Sequence, residues 1–185
     1  KRQRDCRQSF YRVPGYVGYV LQPHDPKVET LARLVDYGGQ ELSPCSLAVY
    51  ENPLGGRICV SGYYPWDHLH SLSKNSQMKA MMRWLSRDRL PAYVASYHKA
   101  NLWVREPDHG RIAIALLNSS FDAADGLDLT VATSAAEARV FDMQAKEHVI
   151  RASSTNGPYR HFMLPAIEPW TMRLVVVGGT ESKVK

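Results

Sequence analysis

Apolar and polar positions along the chain fall into two regimes that meet near Pro91. Beyond it, short runs rich in β-branched, aromatic and aliphatic residues recur at 93–98, 102–105, 111–118, 127–131, 138–142, 148–150, 159–164 and 171–177. Turn formers separate them, notably Pro107-Asp108-His109-Gly110, Ala124-Asp125-Gly126 and Asn156-Gly157-Pro158. Strands spaced roughly 8–12 residues apart with such punctuation predict an antiparallel β-sandwich. Before Pro91 the pattern is mixed. Met78, Met81, Met82 and Leu85 sit at helical spacing and predict a helix over Asn75–Arg87. Ser73 or Asn75 can cap its start, Arg87 suits its C-terminal end, and Pro91 blocks continuation.

Residues 46–50 and 57–62 flank Glu51-Asn52-Pro53-Leu54-Gly55-Gly56, which predicts a hairpin. Residues 28–35 fit two patterns. Val28, Leu31, Ala32 and Val35 would make a helical stripe capped by Asp25 and Pro26; alternation running into Asp36-Tyr37-Gly38-Gly39 would make a strand. The strand is preferred. Phe10–Leu21, broken by Pro14, Gly15 and Gly18, reads as an irregular or edge strand. The expected fold is therefore mainly β with a small α/β part. An α/β portion over 1–90 packs on a sandwich over 91–178, and 179–185 form a loose tail.

With 185 residues, 44% hydrophobic and 22% charged, the chain has ordinary globular composition and falls short of the ~250 residues of a TIM barrel. Its longest apolar runs, Ile112–Leu117 and Leu174–Val177, are strand-sized, so no membrane span is expected. The net charge of +5 is concentrated in Lys1, Arg2, Arg4, Arg7 and Arg12, opposed locally by Asp5. No nucleic-acid-binding signature accompanies that basic lead, so it reads as a solvated segment and no nucleic-acid partner is expected. Cys6, Cys45 and Cys59 are odd in number and lack CxxC spacing, which argues for reduced thiols and against a disulfide framework or a zinc site. Lacking an initiator Met and a signal-type segment, the chain reads as mature or as part of something longer. Compartment is left open: soluble, either cytoplasmic or exported with a parent enzyme.

Phosphate-binding loops, the HExxH and EF-hand motifs and the GxSxG elbow are all missing from the sequence. Asp67, His68 and His70 would need a further ligand and a supporting shell to hold a metal, so neither metal nor cofactor is expected. Cys45 follows Ser43-Pro44 without a Gly-framed turn and reads as a small buried thiol rather than a nucleophile. Two carboxylates are needed for glycosidic chemistry, and with 18 acids some pair always looks plausible. Glu51, beside a rigid turn, is the first to inspect. Tyr63, Tyr64 and Trp66 form an aromatic loop whose flat faces suit a sugar ring, or else pack inside the protein. Trp103 and Trp170 fall in strand contexts and read as core.

Four segments together carry a family resemblance: Glu51 through Val60, Gly62-Tyr63-Tyr64-Pro65-Trp66, Arg83-Trp84-Leu85-Ser86 with Leu90-Pro91, and Leu117-Asn118-Ser119-Ser120-Phe121-Asp122. They resemble the C-terminal region of bacterial beta-galactosidase-like glycoside hydrolases, where a catalytic TIM barrel precedes an amidotransferase-like α/β domain and a small antiparallel β domain. Pro169-Trp170 and the strand Leu174–Val177 match the end of that terminal domain. The resemblance spans about residues 28–177. It implies no catalytic residue here, because the barrel and its two glutamates are absent, and the amidotransferase-type nucleophile elbow is absent too.

The expected role is thus a non-catalytic accessory region of a carbohydrate-active enzyme, partnered by an upstream barrel domain or by an oligomer mate. The alternative is a carbohydrate-binding module that uses Tyr63, Tyr64 and Trp66, with Glu51 nearby.

Overall fold

The computed structural model describes residues 19–36, 38–64, 72–108 and 110–179. The basic lead, Cys6, most of the Phe10–Leu21 segment, Trp66, the Asp67/His68/His70 group and residues 180–185 lie outside the described residues. The chain divides into two compact units between Asp88 and Arg89. No described helix is long and apolar enough to cross a membrane.

In the first unit, β1 (Glu29–Val35), β2 (Glu41–Glu51) and β3 (Arg57–Ser61) form an antiparallel sheet in the order β1-β2-β3. The preferred strand over 28–35 is what forms. Asp25 closes a turn there instead of capping a helix, its carboxylate accepting the Lys27 N–H at 2.8 Å. The hairpin between β2 and β3 is organised by Asn52. Its Oδ1 accepts the N–H groups of Leu54 and Gly56 at 3.0 and 2.8 Å. Gly55 takes a φ of 83°, and a Cβ on Gly56 would lie 2.7 Å from the Asn52 amide nitrogen, so both glycines are structurally required.

Helix α1 (Leu72–Leu85) follows. It starts three residues before the expected Asn75 and stops two before Arg87 because Arg87 and Asp88 turn left-handed, with φ of 55° and 53°. The Asp88 N–H reaches the Arg83 carbonyl at 2.8 Å and the Arg87 N–H reaches that of Trp84 at 3.1 Å, a Schellman-type ending. Of the methionine stripe only Met78 is buried; Met81 lines a cavity and Met82 is exposed. That cavity, about 300 Å³, lies between α1 and one face of β1 and β2 and is lined chiefly by Leu31, Leu47, Val49, Ala80, Met81 and Trp84. Cys45, Leu47, Ala48, Val49 and Met78 are the buried apolar residues described in this unit. That is a thin core.

The second unit is a sandwich of two antiparallel sheets. One has the order β10-β11-β7-β4, from β4 (Ala92–Val94), β7 (Asp128–Ala132), β10 (Ser154–Asn156) and β11 (Tyr159–Met163). The other has the order β5-β6-β12-β8-β9, from β5 (Ala100–Asp108), β6 (Arg111–Asn118), β8 (Glu137–Phe141), β9 (Glu147–Arg151) and β12 (Met172–Val177). Their inner faces interdigitate: Ile114, Leu116, Val140 and Val175 from the five-stranded sheet meet Leu129, Val131 and Phe162 from the other, all at 0% exposure. Each such side chain contributes about 1.5–3 kcal/mol by leaving water. The strand runs read from sequence fall on these elements, with β10 an addition.

Trp103 and Trp170 depart from the core role expected of them, being 51% and 60% exposed. Trp103 lies on β5 with its register partner Ala115 on the outer face of the sheet, and Trp170 sits in a turn ahead of β12.

Because the two units differ so much in filling, core truncations separate them. Phe162→Ala should cost about 3–5 kcal/mol, whereas Leu31→Ala, at a half-open cavity wall, should cost less than about 1 kcal/mol. Urea unfolding of the two variants checks this.

Candidate functional site

The sequence nominated Glu51, Tyr63, Tyr64 and Trp66. Glu51 ends β2 and is committed to two arginines. Its Oε2 accepts from Arg57 Nε at 2.9 Å and its Oε1 from Arg87 Nη2 at 2.7 Å. Arg57 also donates through Nη1 to the Trp84 carbonyl at 2.6 Å and stacks over the Trp84 ring, 4.8 Å from its centroid. One guanidinium therefore joins the hairpin to the C-terminal end of α1, where the negative end of the helix attracts a cation. The Arg87 and Arg57 hydrogen bonds hold the Glu51 carboxyl below its ordinary range. A general acid working near neutral pH needs the opposite shift. Glu51 acts as a latch.

Tyr63 lies half-buried against α1. Its hydroxyl donates to Gln77 Oε1 at 2.7 Å and accepts from Lys74 Nζ at 3.2 Å, while the same ammonium sits 4.4 Å from the ring centroid. Gln77 also lines the cavity under α1, where it and Glu29 are the polar residues of the wall. Tyr64, one residue on, is 62% exposed. Arg57 and Arg87 hold Glu51, while Gln77 and Lys74 hold Tyr63; Trp66 lies outside the described residues. Cys45 is buried, and burial pushes the half-buried Cys59 thiol up.

Two polar arrangements in the sandwich escaped the sequence reading. On the face of the four-stranded sheet turned away from the core, His161 Nδ1 lies 3.0 Å from Asp128 Oδ2 and 3.1 Å from the Thr130 hydroxyl. Carboxylate and hydroxyl meet the same ring nitrogen, so the cluster fixes the imidazole without activating Thr130 as a nucleophile, which would require the hydroxyl at the other nitrogen. No group of three or more metal-ligating side chains stands together among the described residues.

The second arrangement centres on Asn118, at the end of β6 and 1% exposed. Its amide donates to the Asp122 and Ile167 carbonyls, both at 2.8 Å, and its Oδ1 accepts from the Ser120 N–H at 3.1 Å and hydroxyl at 2.7 Å. All four hydrogen-bonding positions of the side chain are used. Its backbone carbonyl accepts the Trp170 N–H at 2.8 Å. Trp170 has a φ of 57°, a left-handed conformation that costs a bulky residue about 1–2 kcal/mol. Its indole meets Phe121 edge to face, with centroids 5.9 Å apart and planes at 77°. The signal available in the sequence was Leu117–Asp122, which lies inside the sandwich unit, at the end of β6 and in the loop after it.

No protein-family model and no curated protein matches the sequence. Among solved structures the chain is similar to alpha-L-fucosidase isoenzyme 2 from Paenibacillus thiaminolyticus, with a TM-score of 0.47 and 14% identity over 77% of this chain and 23% of that one. The chain thus spans less than a quarter of that protein's length.

The two polar hubs make separable predictions. Asn118→Ala removes the side-chain bonds to the Asp122 and Ile167 carbonyls, which keep the Ser120 hydroxyl and the Ala124 N–H as donors, and should cost about 1–3 kcal/mol in urea unfolding. For Glu51, a carboxyl with a depressed folded pKa stabilises the fold above its unfolded pKa and loses that contribution as pH falls through the folded value. Stability should therefore decline on acidification below the ordinary glutamate range, with Glu147, paired to Arg139, acting in the same direction. In a pH series, Glu51→Gln should flatten that decline while leaving part of it in place.

Proposed function

We propose that the chain is a non-catalytic accessory region of a carbohydrate-active enzyme, and that it works by docking against another part of that enzyme. The observation carrying this reading is the outer face of the five-stranded sheet. Across four adjacent strands the register aligns Trp103 on β5, Ala115 on β6, Leu174 on β12 and Phe141 on β8 in one row. The next row adds Leu117 and Met172. Trp103, Leu174 and Met172 are 51%, 40% and 37% exposed.

Antiparallel sheets with one wet face alternate apolar and polar residues, yet β6 and β12 are apolar on both sides. An apolar second face is what a sheet carries when another layer covers it. On one side a further row brings Arg105 and Arg139, the latter 5.2 Å from the Phe141 ring centroid. Exposed Trp and Met, with half-buried Phe141 and Arg beside them, match the residue types enriched in protein interfaces. The sequence resemblance to the region following a glycoside hydrolase barrel names the partner in this reading: the upstream catalytic domain. The absence of barrel glutamates from that resemblance, together with the arginine-bound Glu51, supports a role without bond cleavage.

A carbohydrate-binding loop is the second reading, and exposed Tyr64 favours it. Tyr63, with its hydroxyl and ring both engaged by α1, favours packing.

The docking reading is tested by expressing the polypeptide encoded upstream of Lys1 and titrating this chain into it. A complex is expected, weakened at least about tenfold by Leu174→Lys and by Trp103→Lys, with unfolding midpoints close to that of the unmodified chain because both side chains are exposed. An upstream sequence with no barrel-sized segment, or a complex indifferent to both substitutions, would contradict it.

A further inference from the structure

We infer that the Phe121–Trp170 pair is a stacking site for a neutral pyranose ring, separate from the aromatic loop of the first unit and independent of the docking reading. Both rings stand out in solvent, Phe121 at 86% and Trp170 at 60% exposure, at one end of the sandwich where β6 finishes and β12 begins. The backbone beneath them is unusual. Trp170 holds a φ of 57°, a conformation for which glycine is the ordinary choice. Burial does not compensate for that strain, because most of the indole remains wet.

What holds the turn is the Asn118 hub, whose buried amide ties the loop after β6 to Ile167 while its carbonyl binds the Trp170 N–H. The backbone beneath the rings is thus fixed before any ligand arrives, which lowers the ordering cost of binding.

The surroundings choose the ligand. Beside Phe121 lie Ser119, Ser120 and Asp122; beside Trp170 lie Glu168 and Thr171. The Ser120 and Thr171 hydroxyls donate inward, to Asn118 and to the Glu168 carbonyl, and Ser119 accepts from Asn101, which leaves the Asp122 and Glu168 carboxylates as the acceptors; Arg173, the cation nearest in sequence, donates to the Met172 and Ala166 carbonyls. A ligand that fits presents a patch of C–H groups to the ring faces and hydroxyl donors around it, without negative charge. A pyranose does both. Two rings at a loop tip are far smaller than the ~800 Å² per partner of a stable protein interface, which argues for a single sugar ring over a folded partner.

The test uses the methyl pyranosides of D-galactose, D-glucose and D-mannose, with acyclic D-mannitol as the polyol lacking a ring. Saturation-transfer NMR reports contact with ring protons, and the Trp170 indole N–H resonance reports the site. At least one pyranoside is expected to receive saturation at its ring C–H positions and to shift that resonance, while mannitol does neither. Trp170→Gly relieves the left-handed strain and keeps the turn, so the variant should melt at or near the parent temperature yet bind about tenfold more weakly. Phe121→Ala should weaken binding too, and Tyr64→Ala should leave it unchanged.

The inference is overturned if no pyranoside binds, if mannitol binds equally, or if binding survives Trp170→Gly. It also fails if Trp170→Gly changes only the association state in sedimentation, since the pair is then a protein contact.

Discussion

The pairing of β6 with β12 is the constraint on which the second unit depends. Six consecutive register pairs, from Met172 with Leu117 to Val177 with Ile112, join the two strands at the middle of the five-stranded sheet. Side chains on one side of that ribbon close the sandwich core, and those on the other form the uncovered apolar row. A sheet with two greasy faces cannot satisfy both within a two-layer sandwich. The inner face is sealed by the four-stranded sheet, and the outer face leaves Trp103, Leu174 and Met172 exposed, which is the face the docking proposal uses. Much of the functional reading follows from that asymmetry.

The first unit solves a different problem. Its described sheet and helix bury few apolar side chains and leave a cavity, so polar and cationic contacts do work that packing does elsewhere. Arg57 caps the helix end and covers Trp84, and Glu51 orients both Arg57 and Arg87. Exposed ion pairs of this kind are individually weak. Their value lies in geometry, since they fix where the helix stops relative to the hairpin within the unit. Asn118 plays the equivalent part in the sandwich, with the advantage of burial, where satisfied amide bonds specify one loop conformation.

Periodicity made the fold class legible. The strand runs after Pro91 carry their own punctuation, and Asn52 with Gly55 and Gly56 encodes the hairpin. The ends of α1 were harder to see, because Arg87 rather than glycine takes the left-handed position that terminates it. Trp103 and Trp170 were misread for a related reason: a tryptophan within or beside an apolar strand looks like core until the register shows which face it takes. The uncovered face was foreshadowed by the unbroken runs Ile112–Leu117 and Leu174–Val177, which do not alternate. The candidate site was legible only as residue types. That Glu51 is held by two arginines and Tyr63 by Lys74 and Gln77 depends on contacts 6 to 36 residues apart in sequence. The left-handed turn at Trp170 has no signature in composition at all.

If the outer face of the five-stranded sheet is a docking surface, its accessibility must differ between the isolated chain and the gene product that carries it. Hydroxyl-radical footprinting at Trp103 and Met172 measures this directly, with buried Phe162 as the internal reference. Oxidation of both residues should be rapid in the isolated chain and slowed severalfold in the whole gene product, with Phe162 low in each. Equal rates at Trp103 and Met172 in the two samples would contradict the account.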